Sequence, residues 1–387
     1  MKRAAIIVLD GVGIGPAPDS DAYGDAGSHT LGNVARAVGG LTLPNLERLG
    51  LGWCRPIAGV SATVRPRAAY GVALPRSHGK DSTTGHWELC GVLLARPFRT
   101  YPQGFPRDLL EEFARRTGRG WLGNTAASGT AIIVALGEEH QRSGKWIVYT
   151  SADSVFQVAA HEATVPLEEL YRACAIARQL LGDEYAVSRV IARPFGGAPG
   201  GYQRTPHRRD FSIAPVGPTL LDRLAAAGVP RVGIGKVDDL FAGRNITSEH
   251  TPTNDAAYRL IERALDETET GFIFVNVIEF DQTWGHRNDV AGFHEGLREL
   301  DAWIPRLEAR TKGDDLIILT ADHGNDPTTP STDHAREAVP ILAFGPAIRP
   351  RALGERGTFA DVGATVAAYF GVEPLAAGTS FLRELRA

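Results

Sequence analysis

The run Ile317-Ile318-Leu319-Thr320-Ala321-Asp322-His323-Gly324-Asn325-Asp326 constrains this chain more than any other, because a short β-branched segment opens directly onto a carboxylate, an imidazole and a glycine. Asp314 and Asp315 precede it and Pro327 follows it. A short apolar run bounded in this way reads as an interior strand with a loop at its end. In open α/β sheets, ligands collect in the crevice beyond the carboxyl ends of the strands. Acids just past other apolar runs are therefore expected to meet Asp322 and His323. Two runs supply them: Arg3–Leu9 leads into Asp10, and residues 271–278 lead into Glu279-Phe280-Asp281, with His286 five positions further on. Three strand ends carrying three acids predict one centre.

At 387 residues the chain exceeds the roughly 250–300 at which a single hydrophobic core stops growing, so a core with an insertion is expected. Its 43% hydrophobic and 22% charged residues are those of an ordinary globular protein. The formal net charge is -4 and the basic residues are dispersed, which excludes an extended nucleic-acid groove or an anionic membrane surface and leaves a small molecule as the expected partner. No stretch approaches the ~20 apolar residues of a membrane helix. The apolar run after Met1-Lys2-Arg3 stops at Asp10, too short for a signal peptide. Cys54, Cys90 and Cys174 are widely spaced and odd in number, which suits buried thiols in a reducing compartment. The expectation is a cytoplasmic protein with no nucleic-acid or membrane partner. The oligomeric state stays open, a monomer being compatible with the chain.

The order of elements predicts a discontinuous core, residues 1–97 and 216–387, interrupted by an α+β cap over residues 98–215. In the first segment a strand leads to Gly11-Val12-Gly13-Ile14-Gly15. A dinucleotide loop is excluded there, because the third glycine comes too early and Pro16-Ala17-Pro18 stands where a helix should open. The loop reads instead as a tight turn passing close to whatever Asp10 binds. Strands are expected at residues 146–150, 188–192 and 210–213 of the insertion, with a helix over 166–182 between proline and glycine. After residue 216 the α/β alternation resumes. Phe293, Leu297, Leu300, Ile304 and Leu307 recur at helical spacing, with Pro305 expected to kink that helix. Val339–Phe344 is expected as the last strand and residues 358–369 as the closing helix. The predicted class is α/β, a central and mostly parallel sheet flanked by helices, plus the inserted cap.

The candidate ligands Asp10, Asp281, His286, Asp322, His323 and His334 supply three carboxylates and three imidazoles, a set that suits two cations. Two-metal sites serve phosphoryl transfer, since one cation activates a hydroxyl while both neutralise phosphate charge. Oxygen and nitrogen donors without thiolate leave manganese, zinc or magnesium. A lone histidine such as His161 or His294 reads as surface or satisfied core; Asp-His directly after one strand, with acids after two more, is harder to place under packing. The nucleophile should be a hydroxyl near a metal, and Ser82, Thr83 and Thr84 of Lys80-Asp81-Ser82-Thr83-Thr84-Gly85-His86-Trp87-Glu88 all qualify. The same stretch reads as a capped helix start, whose free N–H groups also stabilise an anion.

At these residues the chain resembles the bacterial phosphopentomutases, members of the alkaline phosphatase superfamily. The resemblance lies in Lys80-Asp81-Ser82 through Glu88, Phe280-Asp281 with Trp284-Gly285-His286-Arg287, residues 320–327, and Thr332-Asp333-His334 with Arg336-Glu337. It extends through Tyr149-Thr150-Ser151-Ala152-Asp153-Ser154, residues 189–195 and Ile234-Gly235-Lys236, nearly the full chain. It implies an alkaline-phosphatase-like core with a cap, manganese as the usual metal, and interconversion of ribose 1-phosphate or 2-deoxyribose 1-phosphate with the 5-phosphate, primed by a sugar bisphosphate. By the same resemblance Asp281, His286 and His334 would hold one ion, and Asp10, Asp322 and His323 the other with the nucleophile. Asp153, Ile191 and Lys236 would meet the sugar phosphate, with Arg193 beside Lys236 as a holder of the distal phosphate. The chain departs from the family in carrying Ser82 where threonine is usual, with Thr84 two residues on. A phosphatase or another phosphosugar mutase on the same core is the first rival, and a catalytically silent metal-binding protein the second.

Overall fold

Six consecutive apolar residues, Ala4 to Leu9, cannot alternate in and out of water, and with Arg3 they form a strand whose every residue is buried. The computed structural model describes residues 2–151, 154–182 and 185–386. Its strands are β1 (Arg3–Leu9), β2 (Ala69–Ala73), β3 (Trp121–Ala126), β4 (Trp146–Thr150), β5 (Val155–His161), β6 (Arg189–Gly196), β7 (Gln203–Arg204), β8 (Arg209–Ser212), β9 (Arg231–Ile234), β10 (Ser248–Glu249), β11 (Gly271–Val277), β12 (Leu316–Thr320), β13 (Val339–Phe344) and β14 (Ala352–Arg356). The chain divides into two units, Met1–Pro97 with Pro215–Ala387, and Phe98–Ala214.

The first unit holds an eight-stranded sheet in the order β10-β9-β11-β1-β12-β13-β2-β14. Strands β1, β11 and β12 are buried throughout, as parallel strands covered on both faces must be. Strand β1 pairs in parallel with both neighbours, Ile7 lying opposite Val275 on one side and Leu319 on the other. All three chains therefore leave the sheet at one edge, and that fact positions the site. Strand β13 runs antiparallel to both β12 and β2. The helices Thr30–Ala37, Asn254–Glu267, Val290–Glu308 and Ala360–Phe370 each bury an apolar face.

One expectation about this unit needs correcting. Strand β13 is not the last, because β14 follows and pairs in parallel with β2. Its sequence, Ala352-Leu353-Gly354-Glu355-Arg356, has one buried side chain, so an edge strand of this kind carries no apolar signal. The helix bearing Pro305 spans Val290–Glu308, as the spacing of its apolar residues predicts. The proline leaves the carbonyl of Asp301 without its helical donor, and Asn45 Nδ2 donates to that carbonyl at 2.9 Å instead.

At the opposite end of the sheet from the expected site, Arg3 is fully buried against Asp315, with Nε donating to Oδ1 at 3.2 Å. Its guanidinium also donates to the carbonyls of Thr268 at 3.1 Å and Arg310 at 2.9 Å. An arginine so satisfied ties β1, the end of the Asn254–Glu267 helix and the approach to β12 together.

The second unit is built on a sheet in the order β3-β4-β5-β6-β7, with β8 paired to β6. Strand β4 shows the period of two: Trp146 and Val148 pack with Phe113 and Phe156, while Ile147 and Tyr149 pack with Ile132, Phe195 and Tyr202 on the other face. Cys90 and Cys174 are buried, Cys54 is partly so, and all three are free thiols. Among the described residues no helix is long and apolar enough to cross a membrane.

Candidate metal centre and nucleophile

Asp10 follows β1 directly, and Asp322 stands two residues past β12. Asp281 lies further from its strand, in a π-turn over Phe280–Trp284 that turns the carboxylate back toward the sheet edge. The nearer acid, Glu279, does other work: its carboxylate accepts from the Asn254 N–H at 2.6 Å at the start of a helix. Gly11 lets the loop after β1 pass close, for it takes φ +78° and any Cβ there would lie 3.0 Å from Asn325 Cβ and 3.3 Å from Asp281 Cβ. Its N–H donates to Asp322 Oδ1 at 3.2 Å. The glycine loop beyond is fastened from within, Gly15 donating its N–H to the buried Glu337 carboxyl at 3.0 Å. Burial pushes that carboxyl up to about 7 even though Gly15 and Thr30 donate to it.

Two clusters result. In the first, His286 Nε2 lies 3.2 Å from Asp281 Oδ2 and His334 Nε2 lies 3.3 Å from Asp281 Oδ1. In the second, His323 Nε2 lies 3.2 Å from Asp10 Oδ1 and 3.4 Å from Asp322 Oδ2. The His323 and His334 rings are 4.2 Å apart between centroids, which makes the clusters neighbours. Asp281 belongs to both: its ligand atoms lie within 4.8 Å of those of His286 and His334, and within 4.8 Å of those of Asp10 and His323. All six expected ligand residues are thus brought together.

The electrostatics are those of a site short of positive charge. Burial, then the neighbouring Asp322 and Asp281 carboxylates, push the Asp10 carboxyl up. Burial also opposes ionisation of Asp281, yet His334 and His286 hold it well below the usual range. His286, despite burial, is drawn up to about 9 by Asp281, and His323 is likewise held well above its ordinary value by Asp322 and Asp10. Asn325 Oδ1 is buried with no hydrogen-bond partner among the described residues, and buried Asp322 Oδ2 faces only histidine nitrogens, His86 Nδ1 at 3.0 Å and His323 Nε2 at 3.4 Å. Three converging carboxylates, neutralisable imidazoles and an unpartnered oxygen fit divalent cations bound through oxygen and nitrogen. The outer atoms are held too. Asn325 Nδ2 donates to Asp281 Oδ1 at 2.7 Å, His286 Nδ1 lies 2.7 Å from the Thr332 carbonyl and His323 Nδ1 lies 3.0 Å from the Gly324 carbonyl. Those carbonyls leave each Nε2 free to face a metal.

Ser82 opens the helix Ser82–Leu89, with Asp81 as its N-cap. Its Oγ donates to Asp10 Oδ1 at 3.3 Å and lies 3.0 Å from His323 Nε2. The Thr84 hydroxyl instead donates to Asp81 Oδ2 at 2.6 Å, completing the cap. Of these two hydroxyls only Ser82 touches the second cluster. Lys80 Nζ bonds Asp25 at 3.0 Å and Asp333 at 3.1 Å, fastening the approach to Ser82 onto the loop that carries His334.

The expected sugar-phosphate residues fall in different places. Lys236 lies in the first unit, past β9, and its Nζ donates to Gln282 Oε1. Ile191 and Arg193 lie on β6 of the second unit, Ile191 buried and Arg193 half-buried with Nε donating to Gln157 Oε1 at 3.0 Å. Burial, with Arg208 and Arg204 near, brings the Arg193 guanidinium down to about 10. Asp153 lies outside the described residues. Two side chains at the centre went unnoticed as site residues in the sequence, Asn276 and Asn325. Asn276 had a signal: it is a lone carboxamide in a strand otherwise wholly apolar.

A model of the metalloenzyme superfamily matches residues 2–374. The phosphopentomutase of Carboxydothermus hydrogenoformans is 53% identical, covering 100% of both chains. That of Anaeromyxobacter sp. strain K is 56% identical, covering 99% of each. Among solved structures, the PH0037 protein of Pyrococcus horikoshii shares the fold at a TM-score of 0.51 and 15% identity, covering 97% of this chain and 99% of its own. A fold shared end to end, a full-length metalloenzyme match and relatives above half identity agree with the six converging candidate ligands: the chain belongs to the phosphopentomutase family of the metalloenzyme superfamily.

Proposed function

We propose that this protein interconverts ribose 1-phosphate, or 2-deoxyribose 1-phosphate, with the corresponding 5-phosphate through a phosphorylated Ser82 and a pentose 1,5-bisphosphate. The observation that carries the mechanism is the Ser82 hydroxyl at a helix start, 3.3 Å from Asp10 Oδ1 and 3.0 Å from His323 Nε2. Two divalent cations, manganese by family resemblance, would be held by Asp281, His286 and His334 and by Asp10, Asp322 and His323, where they supply charge neutralisation for the transferring phosphoryl group. The chain's own residues do the rest. The phosphate on Ser82 sits at the amino end of the Ser82–Leu89 helix, whose free N–H groups favour an anion. The free hydroxyl of the bound pentose phosphate attacks that phosphorus, a sugar O–P bond forms, the Ser82 Oγ–P bond breaks, and the hydroxyl proton ends on Ser82. The bisphosphate then returns its other phosphate to Ser82 by the reverse exchange. A sugar bisphosphate primes the cycle by phosphorylating Ser82.

Asp153 is assigned to the sugar hydroxyls, Ile191 to the sugar face, and Arg193 and Lys236 to the phosphate that is not reacting. The three free cysteines support a reducing, cytoplasmic setting. The test incubates manganese-loaded enzyme with ribose 1-phosphate and a trace of sugar bisphosphate, following 5-phosphate and free phosphate together. The expected result is isomerisation with little free phosphate. In Arg193→Ala and Lys236→Ala, isomerisation should fall at least ~tenfold further than hydrolysis of a generic phosphate ester, because only isomerisation needs the distal phosphate. Rapid release of free phosphate by the intact enzyme would point to a phosphatase.

A further inference from the structure

Beneath the carboxylates, on the side away from Ser82's hydroxyl, lies a polar chain that neither cluster uses. His86 is fully buried one turn after Ser82 in the same helix, and Asn276 is fully buried in β11. Asn276 Nδ2 donates to Asp10 Oδ2 at 2.9 Å and lies 3.4 Å from His86 Nε2. At the other side of the ring, His86 Nδ1 lies 2.9 Å from the Ser82 carbonyl and 3.0 Å from Asp322 Oδ2.

The orientation of each group follows from its partners. A carboxylate accepts only, so Asn276 must present its NH₂ to Asp10 and not its oxygen. The second N–H of that amide then faces His86 Nε2, which accepts. His86 accordingly carries its proton on Nδ1, where a carbonyl and a carboxylate both await a donor. The result is a directed chain from His86 to Asp322 on one side and through Asn276 to Asp10 on the other. It leaves Asn276 Oδ1 buried with no hydrogen-bond partner among the described residues. Leaving a buried acceptor unpaired is destabilising. Every other residue of β11 is apolar or glycine, so packing alone offers no reason to keep an amide there.

Resting on the two-cation reading above, we propose that His86 and Asn276 are positioning residues for one cation only, the one held by Asp10, Asp322 and His323. They hold Asp10 Oδ2 and Asp322 Oδ2, one from each end of the chain, so that Asp10 Oδ1 keeps its facing toward His323 and Ser82 and Asp322 Oδ2 stays beside His323. They share no hydrogen bond with Asp281, His286 or His334; Asn325 holds Asp281 and the Thr332 carbonyl holds His286 instead.

The test reads metal binding, not turnover. Metal-free protein is titrated with Mn²⁺ alone in a calorimeter, for wild type, Asn276→Leu, His86→Leu and His86→Asn, with His286→Ala marking the other site. Wild type should bind two ions. Asn276→Leu and His86→Leu should each weaken one ion by roughly 10–100-fold, the range for loss of an outer partner to a ligand, and leave the other within about twofold. Combined with His286→Ala, either should leave no tight ion. His86→Asn, whose amide can replace the Nδ1 donor to Asp322, should lose less than His86→Leu. If the leucine variants do not fold, Asn276→Ser carries the same comparison. Equal weakening of both ions, or of neither, in folded variants overturns the proposal. Fewer than two ions in wild type overturns the two-cation reading and the proposal with it.

Discussion

Ser82 and Thr84 present the same chemistry two residues apart, and geometry separates them. The Thr84 hydroxyl is engaged by Asp81, whereas the Ser82 hydroxyl reaches Asp10 and His323. A residue at a helix start and one in its first turn point to different sides, so only one of the two can face the sheet edge. Ser82→Ala should lower isomerisation by at least ~10³-fold, as removal of a nucleophile does. Ser82→Thr should retain activity within about tenfold, since the hydroxyl stays and only a methyl group is added. Phosphopeptide mapping after bisphosphate treatment checks the assignment, and phosphate recovered on Thr84 would move the role there. Asn276 teaches the converse at this scale. It stands inside a run that reads as strand interior, and nothing in spacing says that its amide reaches Asp10.

At the scale of elements, the helix Ser82–Leu89 must lie against the segment leaving β12, or Ser82 cannot meet the ligands. Gly85 makes that approach possible. A Cβ built there would lie 2.1 Å from the Asp322 carbonyl oxygen and 2.8 Å from Asp322 Cβ, both too close for any neighbour to absorb without backbone movement. Gly85→Ala should therefore push the helix off the strand end, destabilising the first unit by about 1–3 kcal/mol, typical of overpacking. The Asp10–Asp322–His323 ion should weaken while the Asp281–His286–His334 ion persists. Denaturant melts and Mn²⁺ titration of the folded variant measure the two effects, and an unchanged melt with two intact ions would sink the argument. Turn chemistry acts at this scale as well: the π-turn after β11 brings Asp281 inward and leaves Glu279 to a helix start.

At the scale of the whole molecule, the two units have separate cores and separate sensitivities. In the second unit His140 is buried in the helix Gly129–Ser143, with Nδ1 2.5 Å from the Lys145 carbonyl and Nε2 accepting the His161 N–H at 2.9 Å. Burial lowers its pKa from the ordinary 6.5, although the Lys145 carbonyl works the other way. A folded-state pKa below the unfolded one means that the native state prefers the neutral ring. The stabilisation is complete above pH 6.5 and is lost as pH falls through the lowered value, because protonated Nε2 can no longer accept from His161. The hydrogen-exchange protection of the amides of residues 98–214, taken relative to their intrinsic rates at each pH, should therefore fall on acidification below neutrality. His140→Gln, with an oxygen for His161 and an amide N–H for Lys145, should flatten that dependence. Protection equally acid-sensitive in both proteins would refute the assignment to His140.

The sequence by itself determined the central strands and the candidate ligand residues at their ends. Buried parallel strands must be continuous apolar runs, and a carboxylate or imidazole directly after such a run has no packing reason to be there. Asp10, Asp322 and His323 were legible for that cause, and Asp281, His286 and His334 from spacing joined to family resemblance. Strand β14 was not legible, since an edge strand with one buried side chain lacks a pattern. The helix through Pro305 was legible from its apolar spacing, but the donor that replaces the lost N–H was not, because it comes from Asn45, distant in sequence. Tertiary structure alone decided which hydroxyl faces the acids, that Asp281 serves both clusters, and that His86 and Asn276 join Asp322 to Asp10. Each of these depends on the direction of a side chain across strands or helices far apart in the chain, and linear order fixes proximity only along itself.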